Sequence, residues 1–395
     1  MDSATDLAVG FSVRIAGRRV LHPDGAVGPA EFSVRDGRLV TAPSAAPLLD
    51  AGDLLVLPGM VDVHGDAFER QVMPRPKVHF PLDLALLDTD RQLVANGITT
   101  AFHGVTWSWE SGLRSGEAAI QFLDAVKRMR ARLAADTRTH LRWEIHHLDA
   151  VPAIEECLRD GKIDLLAFND HFPGIYGKRH ELSATLLDRS GQTGDEYRAV
   201  LERLSLKRHG VPAAMQRLAT LARERRVALL SHDDQDAGVR RAMHALGCTV
   251  AEFPLTRGAA EEAKAQACHT VFGAPNVVRG RSHTKAVRAA DMVRDGLCTV
   301  LASDYYYPSM LLAPFVLMRE NGLSLGSVWD LVSANPAAAA GLHDRGRLAP
   351  GLRADLILVD DSDPLLPRVA AVMVAGRFVL SSQVGEGHAV ALSKP

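Results

Sequence analysis

Apolar runs that stop abruptly at polar residues recur through the middle of the chain. The first is Leu54-Leu55-Val56-Leu57-Pro58-Gly59-Met60-Val61-Asp62-Val63-His64-Gly65-Asp66. Pro58-Gly59 breaks it, and Met60, Val61 and Val63 then carry the chain into a dry interior, as a buried strand does. Comparable runs cover residues 97–103, 141–146, 163–171, 227–234, 248–253, 270–274 and 298–304. Helical patterns separate them, among them an amphipathic helix through 118–133 and a charged helical insertion over about 195–226. With the opening run, these segments make eight β-then-α units. That pattern predicts an α/β protein with a (β/α)8 TIM-type barrel, its active face at the C-terminal ends of the strands.

The two ends of the chain read differently. Residues 10–56 form short alternating stretches, and Asp36-Gly37 is a hairpin signal between 31–35 and 38–40. Residues 354–359 read as a strand and 372–379 as a hairpin about Ala375-Gly376. Both β-rich ends are expected to build one small β-sandwich domain. The division is then 1–56 and 346–395 for that domain, around a 57–345 barrel.

Composition narrows the picture. A chain of 395 residues accommodates a barrel and one appendage. A net charge of -2 gives no global field favouring nucleic acid or a membrane surface, so neither is an expected partner. No basic segment with a long apolar core opens the chain, and no stretch is long and uncharged enough to span a bilayer. Cys157, Cys248, Cys268 and Cys298 lack metal or redox spacing and read as reduced core residues, which points to the cytoplasm.

Ionisable groups collect at the strand ends: His64 and Asp66, His103, Glu144 and His146, Asp170 and His171, His232 with Asp233 and Asp234, Glu252, and Asp304. Residues i and i+2 of an extended chain share a side, so His64 and Asp66 can face one ion. Such a cluster suits a hydrolytic centre of one or two divalent metals, zinc first, with Mn, Fe or Ni also compatible. Asp304 is the candidate for taking the proton of the attacking water. Each has a plainer reading. Asp304 could cap the next helix, Glu144 could pair with Arg142 or Arg70, His232 could be a satisfied core histidine, and the His64–Asp66 pair could be a surface turn. His103 and His146 are weaker candidates. His22, His140, His209, His244, His343 and His388 fall in helices, hairpins or loops without a partner pattern.

Two basic loops read as an anion grip. Arg75 and Lys77 follow the first strand; Arg279, His283 and Lys285 follow the seventh. Arginine forks and glycine-freed amides hold phosphate, and barrels often bind it near the last strands. A solvated basic loop is the alternative. Tyr305-Tyr306-Tyr307 would add aromatic walls beside Asp304.

The opening strand, the β-rich termini and Gly346-Arg347-Leu348-Ala349-Pro350-Gly351-Leu352-Arg353-Ala354-Asp355-Leu356 resemble the amidohydrolase superfamily over nearly the whole chain. Pro74-Arg75-Pro76-Lys77-Val78, Asp170-His171-Phe172-Pro173-Gly174, Ser231-His232-Asp233-Asp234, Ala251-Glu252-Phe253-Pro254 and Ser303-Asp304-Tyr305-Tyr306 are similar to one branch. That branch serves phosphonate metabolism in the carbon–phosphorus lyase pathway and removes pyrophosphate from ribose 1-methylphosphonate 5-triphosphate. The resemblance implies a metal-activated water attacking phosphorus, with basic loops on the triphosphate, and suggests a homodimer. The chain departs from the branch in two places. His64-Gly65-Asp66-Ala67 stands where the branch has His-Thr-Asp-Asn. Arg279-Gly280-Arg281-Ser282-His283-Thr284-Lys285-Ala286 stands where it has Arg-Gly-Gly-Ser-His-Ser-Gly-Asn.

The expectation is therefore a metal-dependent hydrolase cleaving a phosphoric anhydride in a sugar triphosphate, with release of pyrophosphate. Its metal ligands are His64, Asp66, Glu144, His171 and His232, its proton acceptor is Asp304, and its substrate is held by Arg75, Lys77, Arg279, His283 and Lys285. Hydrolysis of a C–N bond by the same centre is the alternative. A non-catalytic barrel would have no use for so many ionisable strand ends.

Overall fold

A computed structural model describes residues 12–41, 46–75, 77–281, 287–381 and 392–393. The middle of the chain is the expected barrel. Its strands are β1 (Met60–Gly65), β2 (Ile98–Trp107), β3 (Asp136–Glu144), β4 (Leu165–Asn169), β5 (Ala228–His232), β6 (Val250–Glu252), β7 (His269–Gly273) and β8 (Val300–Ala302). They hydrogen-bond side by side in chain order. The seam between β8 and β1 is closed by the Asp304 N–H donating to the His64 carbonyl and the Asp66 N–H donating to the Asp304 carbonyl, each at 2.9 Å. Behind it, the buried Asp62 carboxylate accepts from the Ser303 N–H at 3.0 Å and from its hydroxyl at 2.5 Å.

Inward-facing Val61, Val63, Phe102, Leu165, Leu230, Val250, Val271 and Val300 fill the barrel below the mouth. This apolar plug leaves polar chemistry only at the strand ends. Outward-facing residues meet the helices. Helix Gly116–Met129 begins where the Ser115 side chain accepts the Ala118 N–H. It buries Phe122, Leu123 and Val126 against Val105, Trp107, Leu141 and Trp143. The predicted helix over 118–133 thus ends early, in a 3-10 turn at Arg130–Arg132.

The charged insertion is two helices, Gly194–Lys207 and Val211–Glu224. The first opens with a Thr193/Glu196 capping box. Two short helices, Phe172–Gly177 and Ala184–Ser190, precede it. Tyr197, Leu201 and Leu204 pack it onto Phe172 and Trp109, so the insertion sits beside the mouth.

Both termini enter one nine-stranded sheet. Strand Leu55–Pro58 pairs antiparallel with Leu356–Asp360 and parallel with Ser12–Leu21. Within the short alternating stretches expected over 10–56, Ser12–Leu21 is one continuous strand. The chain crosses into the barrel at Gly59, where a Cβ would lie 2.3 Å from the Thr99 hydroxyl oxygen, so only glycine fits. Asp36 and Gly37 turn with φ of 50° and 75°, joining Val27–Arg35 to Arg38–Val40 as the hairpin signal predicts. The four cysteines are buried and unpaired. Among the described residues, no helix is long and apolar enough to cross a membrane.

Candidate active site

Among the described residues, two groups of ligand-type side chains stand at the barrel's C-terminal mouth, His64 with Asp66 and Asp304, and His171 with His232 and Asp233, and a third, His64 with His140 and Glu252, is fully buried below them. Within each group the potential ligand atoms lie within 4.8 Å of one another. The two strand-end aspartates are turned inward by backbone in the left-handed region, with φ of 55° at Asp304 and 59° at Asp233. Phe253 is held there too, at 51°, an uncommon conformation for so bulky a residue. Its ring meets the edges of His64 and His232 at centroid distances of 4.9 and 5.4 Å.

Behind the two groups stand two carboxylates. Glu252, on β6 and fully buried, accepts from His64 Nδ1 and from His232 Nδ1, both at 2.7 Å. Burial alone would raise its pKa, but the histidines around it hold it well below the usual carboxylate range. With Nδ1 committed as donor, each ring leaves Nε2 turned toward the mouth. Glu144, on β3, likewise holds His171, accepting from Nδ1 at 2.5 Å and from the backbone N–H at 3.2 Å. The other ring nitrogen of His171 lies 3.3 Å from Asp233 Oδ2. Burial opposes a charge on His171, but its bonds to Asp233 and Glu144 outweigh it and raise the pKa to about 9.

A guanidinium completes the mouth. Arg142 Nη2 is 3.0 Å from His232 Nε2, and Nη1 is 3.7 Å from Asp66 Oδ2. Burial, assisted by this cation, lowers the pKa of His232. His140 lies deeper, its Nδ1 bonded to the Val63 carbonyl at 3.0 Å, and burial lowers its pKa to about 3. Its Nε2 is buried without a partner.

The expected residues divide as follows. His64, Asp66 and Asp304 converge, and so do His171 and His232. Asp304 is not a helix cap, since the next helix, Ser309–Asn321, starts after Pro308. Glu144 pairs with neither Arg142 nor Arg70; both its oxygens are taken by His171. Arg75 and Lys77 are exposed on the turn closed by the Val78 N–H donating to the Arg75 carbonyl. Arg279 reaches Tyr305 Oη at 3.1 Å, and the Tyr305 carbonyl accepts from Arg70 at 2.8 Å, so Tyr305 links the loops after β7 and β1. His283 and Lys285 lie outside the described residues. The three tyrosines do not form one wall: Tyr306 is exposed, and Tyr307 is buried in the core behind Gly65.

His140 is a correction: it belongs to β3, not to a loop or helix. His140, Arg142 and Glu144 alternate on one strand and all face inward, while Leu141 and Trp143 face the helices. Period-two spacing was the available signal. Asp233 and Glu252 were visible as polar strand ends, but their partners were not.

The geometry fits a divalent metal. Imidazoles bonded to carboxylates through Nδ1 turn Nε2 toward the mouth, and aspartates close the set. A cavity of about 630 Å³ adjoins Glu144 and His171, lined also by Trp109, Arg114, Ile175 and Lys178.

Residues 55–380 match the family model of the Amidohydrolase family. The chain is 34% identical over 324 residues to alpha-D-ribose 1-methylphosphonate 5-triphosphate diphosphatase of Escherichia coli, covering 78% of this chain and 84% of that protein. Among solved structures, an amidohydrolase from an environmental sample of the Sargasso Sea aligns with a TM-score of 0.64 at 16% identity, over 95% of this chain and 94% of that one. Dihydropyrimidinase from Brevibacillus agri aligns with a TM-score of 0.56 at 14% identity, over 96% and 97%. At such identities the structural likeness speaks for the fold.

Proposed function

The chain belongs to the amidohydrolase family of hydrolases, and we propose that within it this protein cleaves the phosphoric anhydride of a sugar triphosphate, releasing pyrophosphate. The observation that carries the reading is the convergence of His64, Asp66 and Asp304 at the barrel mouth. The substrate class is supported by the likeness to the Escherichia coli diphosphatase.

His64, Asp66, Asp304, His171, His232 and Asp233 are the residues that would hold metal. A divalent ion there supplies Lewis acidity for charge developing on a phosphoryl oxygen. Glu252 and Glu144 keep the imidazoles in the tautomer that offers Nε2. Asp304 takes a proton from the attacking water and passes it toward the leaving group. The water oxygen bonds to the α-phosphorus as the α–β anhydride breaks, and pyrophosphate departs. Arg279, beside Tyr305, and the exposed Arg75 and Lys77 are the cations offered to the polyphosphate.

The test is pyrophosphate release from ribose 1-methylphosphonate 5-triphosphate with zinc-loaded protein, beside ammonia or amine release from a panel of cyclic amides and aminopurines. Turnover of the panel without pyrophosphate release would replace this reading with C–N hydrolysis.

A further inference from the structure

At the end opposite the mouth, the barrel faces the terminal β-domain across a cleft of about 510 Å³ lined by seven arginines and four aspartates. β3 runs between the two ends of the barrel. Asp136 opens it at the cleft and Glu144 closes it at the mouth. At about 3.3 Å per residue they are roughly 26 Å apart. Most of the cleft's carboxylates are already engaged. Both oxygens of the buried Asp90 accept from the Ala134 and Ala135 N–H groups at 2.9 Å, which fixes the loop beside Arg132. Asp136 accepts from Arg138 at 3.0 Å and from Arg345 at 2.6 Å, and Asp344 accepts from Arg345 at 2.8 Å. Asp36 sits in a turn at the rim.

The outer arginines are brought together by backbone. The turns Asp36-Gly37 and Ala375-Gly376 touch: a Cβ on Gly376 would lie 2.8 Å from Gly37 Cα, and one on Gly37 would lie 3.0 Å from the Ala375 carbonyl oxygen. Arg38 and Arg377 each follow the glycine of one turn. Arg38 also pairs antiparallel with Arg353 in an isolated bridge. Residues opposed in this way carry their side chains on one face with Cα atoms about 5 Å apart, where like charges repel. Arg38 gives Nη1 to the Gly351 carbonyl at 2.8 Å, and Arg353 gives Nε to Asp355 at 2.9 Å. Among the described residues, no carboxylate pairs with Arg38, Arg132 or Arg377. Fixed cations thus crowd one void with too few acids to neutralise them.

We propose that this cleft is a second binding site, separate from the catalytic mouth, for a small polyphosphate whose closely spaced charges are shared by Arg132 of the barrel and Arg38, Arg353 and Arg377 of the β-domain. The cleft volume falls in the range of small-molecule sites, about 300–1,000 Å³. Guanidinium forks match phosphate oxygens two at a time, and a polyanion between Arg38 and Arg353 would remove their mutual repulsion.

Full-length, zinc-loaded protein is titrated calorimetrically with inorganic triphosphate at fixed ionic strength. Wild type should show a site that Arg279→Ala, at the mouth, leaves within about twofold in affinity and that the double variant Arg132→Gln/Arg377→Gln weakens by about tenfold or more. Each single variant should weaken it by about threefold, Arg132→Gln reporting on the barrel wall and Arg377→Gln on the β-domain wall. Both side chains are exposed, so the fold should survive, which circular dichroism checks. Chelation of zinc by triphosphate is common to all these proteins and drops out of the comparison. No binding in wild type, unchanged binding in the double variant, or loss of the site in Arg279→Ala would each overturn the inference. Pyrophosphate release from the sugar triphosphate, assayed on the same proteins, reports on the hydrolase reading separately.

Discussion

Replacing Glu252 by Gln removes one charge and almost no volume from the most buried part of the site. The carboxylate now accepts from His64 Nδ1 and His232 Nδ1, each at 2.7 Å, and its own exposure is zero. A glutamine offers one acceptor and one donor. It can satisfy one imidazole, and the other must present Nδ1 as a lone pair and move its proton to Nε2, where it blocks ligation. The imidazole that keeps its bond loses the charge assistance. Outer partners of metal-ligating histidines are worth about 10–100-fold in affinity, so the variant should bind zinc about 10–100-fold more weakly. That corresponds to about 1.4–2.7 kcal/mol. Losing a hydrogen bond to a buried charge should also lower the unfolding free energy of the metal-free protein by about 1.5–3 kcal/mol. Competition against a fluorescent zinc chelator measures the first, and urea titration after chelator treatment the second. Zinc affinity within about twofold of wild type would refute the claim that Glu252 sets the histidine tautomers.

Other outcomes follow from the same geometry. Asp304→Asn should lower kcat by about 10²–10⁴-fold with little change in circular dichroism, and an unchanged kcat would remove Asp304 as proton acceptor. Arg279→Ala should raise KM for a polyphosphate substrate about tenfold at nearly constant kcat, and an unchanged KM would detach the loop after β7 from the phosphates. His171 has its pKa raised from the ordinary 6.5 to about 9, chiefly by Asp233 and Glu144 acting against burial. Its stabilising contribution in metal-free protein is therefore complete below about pH 6.5 and lost as pH rises through about 9. The gap in urea midpoint between wild type and His171→Asn should shrink over that window, and a gap that widens would contradict the charged state of this histidine.

The barrel was legible because its strands are short apolar runs, each bounded by a polar end, and such runs have few other uses in a chain of this size. The terminal β-domain was legible from two turns, Asp36-Gly37 and Ala375-Gly376, both of which adopt the positive φ expected of them. The helical boundaries were less so: residues 130–132 continue the amphipathic pattern but tighten into a 3-10 turn. In the site, His64 and Asp66, two residues apart in sequence, are brought within 4.8 Å of one another at their potential ligand atoms. Partnerships across strands were not readable. Glu252 and His64 are 188 residues apart, and only the closed barrel brings them to hydrogen-bonding distance. His140 was misplaced for a related reason: its neighbours Thr139 and Leu141 disguise an inward row of His140, Arg142 and Glu144.

The difference between how tightly the strand ends bring the ligand-type residues together and how loosely the substrate-facing residues are held has a physical origin. The ligand-type residues sit on or just past strands whose positions are fixed by ladder hydrogen bonds on both sides, so their spacing follows from the fold. Even the departure at Gly65 is a matter of fold: a Cβ there would lie 2.8 Å from Asp62 Oδ2 and 2.9 Å from the Ser303 hydroxyl, at the seam that closes the barrel. The residues offered to a substrate have no such frame. Arg75 and Lys77 occupy an exposed turn, Arg279 ends a six-residue helix, and the cavity beside His171 is walled partly by the insertion. Side chains on those loops can change without disturbing a ladder or a core, so substrate preference can shift while the centre that does the chemistry stays in place. Family membership therefore constrains the reaction type of this chain more tightly than its substrate, and the basic loops are where the substrate has to be read.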